Sequence, residues 1–245
     1  MNENTTIELK EDIEIKKIEN FKEGVKDCIP TLLGYLSIGF AAGVLEKTSG
    51  MSILEIILMG VILYAGSAQF TAAAMIMSGA SISSTIFTIF LVNLRHLLLS
   101  ASITPYFKGL SKLKSFIIGF ELTDETFVVA ANKGAKSKEI NFNWMLGLNI
   151  TAQLNWIIAN VLGAIFGELI EDPTSLGLDF ALPAMFIGLL VIQICQDSKY
   201  KKSIIIAVIT VISMLICSKL FLGNISVVIA TIIGATFGVV MDKWK

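Results

Sequence analysis

The sequence predicts an all-α integral membrane protein of about eight transmembrane helices, some of them broken. Three observations lead there. Of 245 residues, 54% are hydrophobic and 16% are charged, whereas a soluble domain carries nearer a quarter charged. Mean hydropathy is +0.76. Apolar runs close to the 20 or so residues needed to cross a bilayer recur along the whole chain. They lie at roughly 28–45, 52–77, 81–104, 144–168, 176–195, 203–221 and 224–241.

The first 27 residues mix acids with lysines and lack the pattern of a cleaved signal peptide. They are expected to form a cytoplasmic tail (1–27), partly an amphipathic helix, ahead of a transmembrane domain (28–245). An eighth span, 115–132, reads SFIIGFELTDETFVVAAN and carries Glu121, Asp124 and Glu125 at its centre. Hydropathy alone rejects it, because a mid-span carboxylate costs about 2.5–3.5 kcal/mol on insertion scales.

Loop charge orients the chain. The loops 133–143 and 196–202 and the C-terminus are basic and read as cytoplasmic, whereas 168–175 is acidic and reads as external. If 115–132 crosses, both ends are inside, but Lys108, Lys112 and Lys114 are then outside, against the rule. If it dips in and returns, those lysines are inside and the lysine-bearing tail is outside. Eight spans with both ends cytoplasmic is the expectation. Pro30 with Gly34, and Pro183 with Gly188, hint at an inverted repeat between the first and last three spans.

Composition excludes several chemistries. A net charge of −1 offers nothing to nucleic acid. Cys28, Cys195 and Cys217 lie in or beside apolar runs and read as free thiols. With His96 the one histidine, no zinc-type site is expected and no cofactor is implied.

The polar residues inside the spans are more informative. YAGSAQF, residues 64–70, places Gly66, Ser67, Ala68 and Gln69 in the middle of an apolar run. Small residues admit a close neighbour, and an amide in lipid must face protein or a wet cavity. This is where the span is expected to thin and unwind. LVNLRHLLL places Asn93, Arg95 and His96 in the third span. A buried guanidinium needs an anion, and Glu121, Asp124 and Glu125 could present themselves together on one helical face. Asn149, Gln153, Asn155 and Asn160 supply amides in the fifth span, with Asp179 and Gln193 in the sixth. GFAAG (39–43), GAIFG (163–167) and GATFG (234–238) read as close-packing seams.

LGYLSIGFAAGVL, GSAQF, NLRH, TDE, TAQLNW and LDFALPAMFIGLLV occur in an order and spacing that resembles AzlC-type branched-chain amino acid permeases, from about residue 21 to the end. The resemblance implies export of branched-chain amino acids or analogues across the plasma (inner) membrane of a bacterium. It also implies a separate, small AzlD-type membrane subunit of about four spans as partner. Gly66, Ser67, Gln69, Asn93, Arg95, His96, Asp124, Glu125 and Gln153 match its motifs.

Chemistry then assigns expected roles. Gly66, Ser67, Gln69, Asn93 and Gln153 are expected to bind a small hydrophobic amino acid. Arg95, His96, Asp124 and Glu125 are expected to form an ion pair and carry a coupling proton. No phosphate-binding loop of the G-x-x-x-x-G-K-[ST] form is present, so a secondary transporter is expected and not an enzyme. Three alternatives stand beside it: a non-transporting scaffold subunit, a transporter of another amino acid such as methionine, and an intramembrane enzyme with Ser67 as nucleophile and His96 as base.

Overall fold

Helix length decides which segments can cross a bilayer. The computed structural model describes residues 3–167, 169, 175, 177, 180–196, 200–220 and 225–243. Asp179 and the side chain of Gln193 lie outside the described residues. Every described regular element is helical. In chain order these are α1 (Glu3–Thr48), α2 (Ile53–Ile62), α3 (Gly66–Met77), α4 (Ile82–Ile103), α5 (Lys112–Phe120), α6 (Asp124–Ser137), α7 (Phe142–Gly167), α8 (Ala181–Gln196), α9 (Tyr200–Leu220) and α10 (Ile225–Lys243). A 3₁₀ turn, Thr104–Tyr106, extends α4. Among the described residues four segments are long and apolar enough to span: Glu14–Thr48, Ile82–Tyr106, Phe142–Gly167 and Tyr200–Leu220. The chain divides into two compact units, 1–185 and 186–245.

In the first unit α1 and α7 run side by side in the same direction. Trp144 Nε1 donates to Asp27 at 2.8 Å, Asn155 Nδ2 to the Leu32 carbonyl at 3.1 Å, and Asn160 Nδ2 to the Gly39 carbonyl at 2.8 Å. GFAAG and GAIFG meet along this seam. A Cβ on Gly43 would fall on the Asn160 carbonyl oxygen, and one on Gly163 on the Phe40 carbonyl oxygen. Glycine is required here because backbone meets backbone.

The two polar segments do not cross. With 10 and 12 residues, α2 and α3 are each about half a span. Ser52 caps α2 through a reciprocal bond with Glu55, its N–H reaching Oε2 at 2.7 Å. α2 runs against α7, with Gly60 beside Ile157 and Asn160, and Val61 beside Gln153. The chain turns at Tyr64, which holds a positive φ of 36°. α3 then runs with α7: Gly66 lies against Trp156, and Gln69 lies closer to Asn160 and Glu46. Ile76 returns to line one groove with Ser49, Gly50 and Met51, where α2 began. Residues 52–77 are therefore a helical hairpin.

Residues 112–137 form a second hairpin, entering from the opposite end. α5 has 9 residues and α6 has 14. Lys114 lies 5.0 Å from the Phe142 ring at the start of α7, while Gly119 approaches Ser100. α6 then follows α4 back. Gly134 packs on Tyr106, Ile140 N–H donates to the Tyr106 carbonyl at 2.9 Å, and Lys133 pairs with Glu23 at 2.5 Å.

These contacts correct the expected topology. Both lysine-bearing loops, 105–114 and 133–143, gather at one end with residues 23–27 of α1. The conflict between tail and loop charges arises only if 52–77 is counted as a crossing. With two hairpins and the crossing helices α1, α4 and α7, every lysine cluster of this unit falls at one end. The arrangement is an inverted repeat: a long helix, then a hairpin entering from the end where that helix finishes, then the same again upside down. The boundaries Thr48, Ile62 and Gly66 recur as Tyr106, Phe120 and Asp124 at one constant spacing.

In the second unit α9 and α10 pack antiparallel through GATFG. Gly234 sits on the Thr210 side chain and Gly238 near Ile206, and Ser226 Oγ donates to the Cys217 carbonyl at 3.2 Å.

Candidate functional site at the hairpin tips

The two hairpin tips meet inside the first unit. A cavity of about 10 Å³ is lined by Tyr64, Ala65 and Gly66 from one tip and Thr123, Asp124 and Glu125 from the other. Tyr35 of α1, His96 of α4 and Trp156 of α7 complete it. That space holds about one water, so the site is closed. A larger depression, about 520 Å³, lies in the second unit among Leu190, Ile194, Ile206 and Val211. Its lining carries no ionisable side chain, so the small polar cavity is the candidate site.

The tips differ in how they are held. Thr123 caps α6: its Oγ1 accepts from Thr126 N–H at 3.3 Å, while Thr126 Oγ1 accepts from Thr123 N–H at 3.0 Å. Tyr35 OH also bonds Thr123 Oγ1. Asp124 and Glu125 occupy the first turn of α6, where negative charge complements the helix dipole. α3 begins at Ala65, which offers no side-chain cap, so its first N–H groups open at the cavity wall. Gly66 allows this, since a Cβ there would stand 3.0 Å from Trp156 Cη2. Tyr64 is 2% exposed, and it stands at the same wall beside Tyr35.

Arg95 joins the tips. One guanidinium nitrogen donates to Ser67 Oγ at 2.5 Å and pairs with Asp124 Oδ2 at 3.0 Å. Of the three expected anions, Asp124 is the one Arg95 pairs with. Glu121 does not share a face with Asp124 and Glu125, because the helix breaks between them. His96 Nε2 is buried without a partner, and Ser67 Oγ is held by Arg95. The Ser–His pair that a hydrolase would use is not made.

The structure sorts the expected residues into groups. Gly66, His96, Asp124 and Glu125 line the cavity, and Ser67 and Arg95 clasp its two sides. Gln69 belongs to a neighbouring buried cluster: its Nε2 donates to Glu46 Oε1 at 2.9 Å and its Oε1 accepts from Trp156 Nε1 at 2.6 Å. Gln153 donates to the Val61 carbonyl at 3.3 Å, outside the cavity. Asn93 does not line it, and its Oδ1 is buried without a partner. The sequence reading missed Tyr35, Tyr64 and Glu46. Their one signal was polarity inside or at the edge of an apolar run.

The family model described as AzlC protein matches residues 30–170, which contain both hairpins. "Inner membrane protein YgaZ" of Escherichia coli (strain K12) is 33% identical over 175 residues, covering 69% of this chain and 71% of that protein. "Branched-chain amino acid transport protein AzlC" of Bacillus subtilis (strain 168) is 28% identical over 204 residues, covering 83% and 78%. No solved structure matches. On the family match and these relatives, the chain belongs to the AzlC family.

Proposed function

We propose that the chain is a secondary transporter that exports branched-chain amino acids, with the substrate held between the two hairpin tips. The observation that carries this reading is the meeting of hairpins from opposite ends over one polar cavity closed by Arg95 and Asp124. Family membership and the Bacillus relative's name support a role in membrane transport and this class of cargo. Drug-sized ligand sites span about 300–1,000 Å³, so the tips must part for an amino acid to enter.

The placement follows from charge. The uncapped start of α3, at Gly66 and Ser67, suits a carboxylate. Asp124 and Glu125 suit an ammonium. Tyr35, Tyr64 and Trp156 supply ring faces for an aliphatic side chain. Parting the tips breaks the Arg95 clasp, and a proton taken up by Asp124 or Glu125 would ease that break. The lysine-rich end of the first unit is cytoplasmic by the positive-inside rule, and the basic C-terminal sequence reads as cytoplasmic by the same rule, in the plasma membrane. A small AzlD-type subunit of about four spans works with this chain, and residues 28–245 form the permease domain.

The test loads cells with dipeptides of leucine, isoleucine and valine, with and without this chain and its AzlD-type partner. Lower internal pools with the pair are expected. Equal accumulation refutes export, and a pool change confined to methionine reassigns the cargo.

A further inference from the structure

The Glu46 carboxyl lies outside the cavity and has no part in the reading above. Glu46 is 0% exposed. Its Oε1 accepts from Gln69 Nε2 at 2.9 Å, and its Oε2 is buried without a partner. Among the described residues, the hydrogen-bonding groups that face it are uncharged: Gln69 from α3 and, across Gln69 Nε2 at 3.4 Å, Asn160 Oδ1 from α7. Lys47, the next residue on α1, is half-buried, and no described ion pair includes Glu46. An ionised carboxylate in such surroundings is uncompensated, and a neutral one has an O–H to place.

The cluster is wired to the cavity. Trp156 Nε1 can only donate, so it fixes the Gln69 carbonyl toward itself and the Gln69 amide nitrogen toward Glu46. The Trp156 ring is also a wall of the cavity, edge-on to Tyr35 at 5.8 Å and packed on Gly66. A charged Glu46 draws the Gln69 donor more strongly than a neutral one. That pull passes through the amide to the indole.

We infer that Glu46 is a proton-binding site whose occupancy is relayed through Gln69 to Trp156, and so to the width of the cavity between the hairpin tips. The proton comes from water and returns to it. The site stands on this geometry, and only its use in coupling rests on the transport reading.

The test labels the full chain with 5-fluorotryptophan and follows the fluorine resonance of Trp156, assigned by Trp156→Phe, across a pH titration in nanodiscs. The resonance is expected to titrate in the wild type and in Asp124→Asn, to stop titrating in Glu46→Gln, and to titrate with a moved midpoint in Glu46→Asp. A Trp156 titration that persists unchanged in Glu46→Gln, or is absent from the wild type, overturns the proposal. If Glu46→Gln fails to fold, an unmoved midpoint in Glu46→Asp overturns it. Leucine exchange by wild-type vesicles is scored separately: its absence refutes the transport reading, and the resonance still decides Glu46.

Discussion

Replacing Arg95 with Gln removes the hydrogen bond to Ser67 and the ion pair to Asp124 together. The side chains of the pair are 25% and 18% exposed. Breaking a fully buried pair from one side costs about 3–5 kcal/mol, and an exposed pair is worth about 1 or less. At this exposure we expect about 2–3 kcal/mol for Asp124→Asn. The Ser67 bond adds about 1, giving about 3–4 kcal/mol for Arg95→Gln. The double variant leaves two amides that no longer strand a charge. Its cost should fall short of the sum by about 2 kcal/mol, roughly thirtyfold in the unfolding equilibrium. Reversible unfolding of the four proteins in bicelles measures the cycle, with Ser67→Ala as the control for the hydrogen bond alone. Additive losses, within about 0.5 kcal/mol, would refute the clasp.

Other outcomes follow from the same contacts. Gly163→Ala drives a methyl into the Phe40 carbonyl and should destabilise by about 1–3 kcal/mol in a melting assay. Gly34→Ala, with nothing within 4 Å, should be neutral or slightly stabilising. In a Cys195→Ser background, cysteines at Lys108 and Lys136 should be labelled from one face of the membrane, and cysteines at Thr48 and Ser78 from the other. Labelling of Lys108→Cys and Lys136→Cys from opposite faces would exclude the second hairpin. Trp156→Phe leaves the Gln69 carbonyl oxygen without its donor and should cost about 1–3 kcal/mol by chemical denaturation.

The helical membrane class, the interruption near Gly66 and an anion for Arg95 were all legible in the residues. The direction taken after each interruption was not. A crossing helix and a hairpin of the same length have the same hydropathy, and the turn at Leu63–Ala65 contains neither glycine nor proline. The misplaced lysines at 108, 112 and 114 were the trace of it, but they implicated only the second hairpin. Glu46 was passed over because it sits at the edge of an apolar run, where a carboxylate normally meets water. It is buried because α3 folds back across it, a tertiary fact that no local pattern carries. Gln153 looked like a ligand group because it is an amide at mid-span, yet a backbone carbonyl exposed near the α2 terminus takes its donor.

The two hairpin tips are fastened by different means. The α6 tip is tied to α1 through Tyr35 and stiffened by its own Thr123–Thr126 cap, whereas the α3 tip is tied to α1 through Gln69 and Glu46, to α4 through Ser67 and Arg95, and to α7 through Gln69 and Trp156. On the transport reading proposed above, a shift of any one of those three helices reaches the α3 tip directly, so that tip is the one the surrounding frame can set.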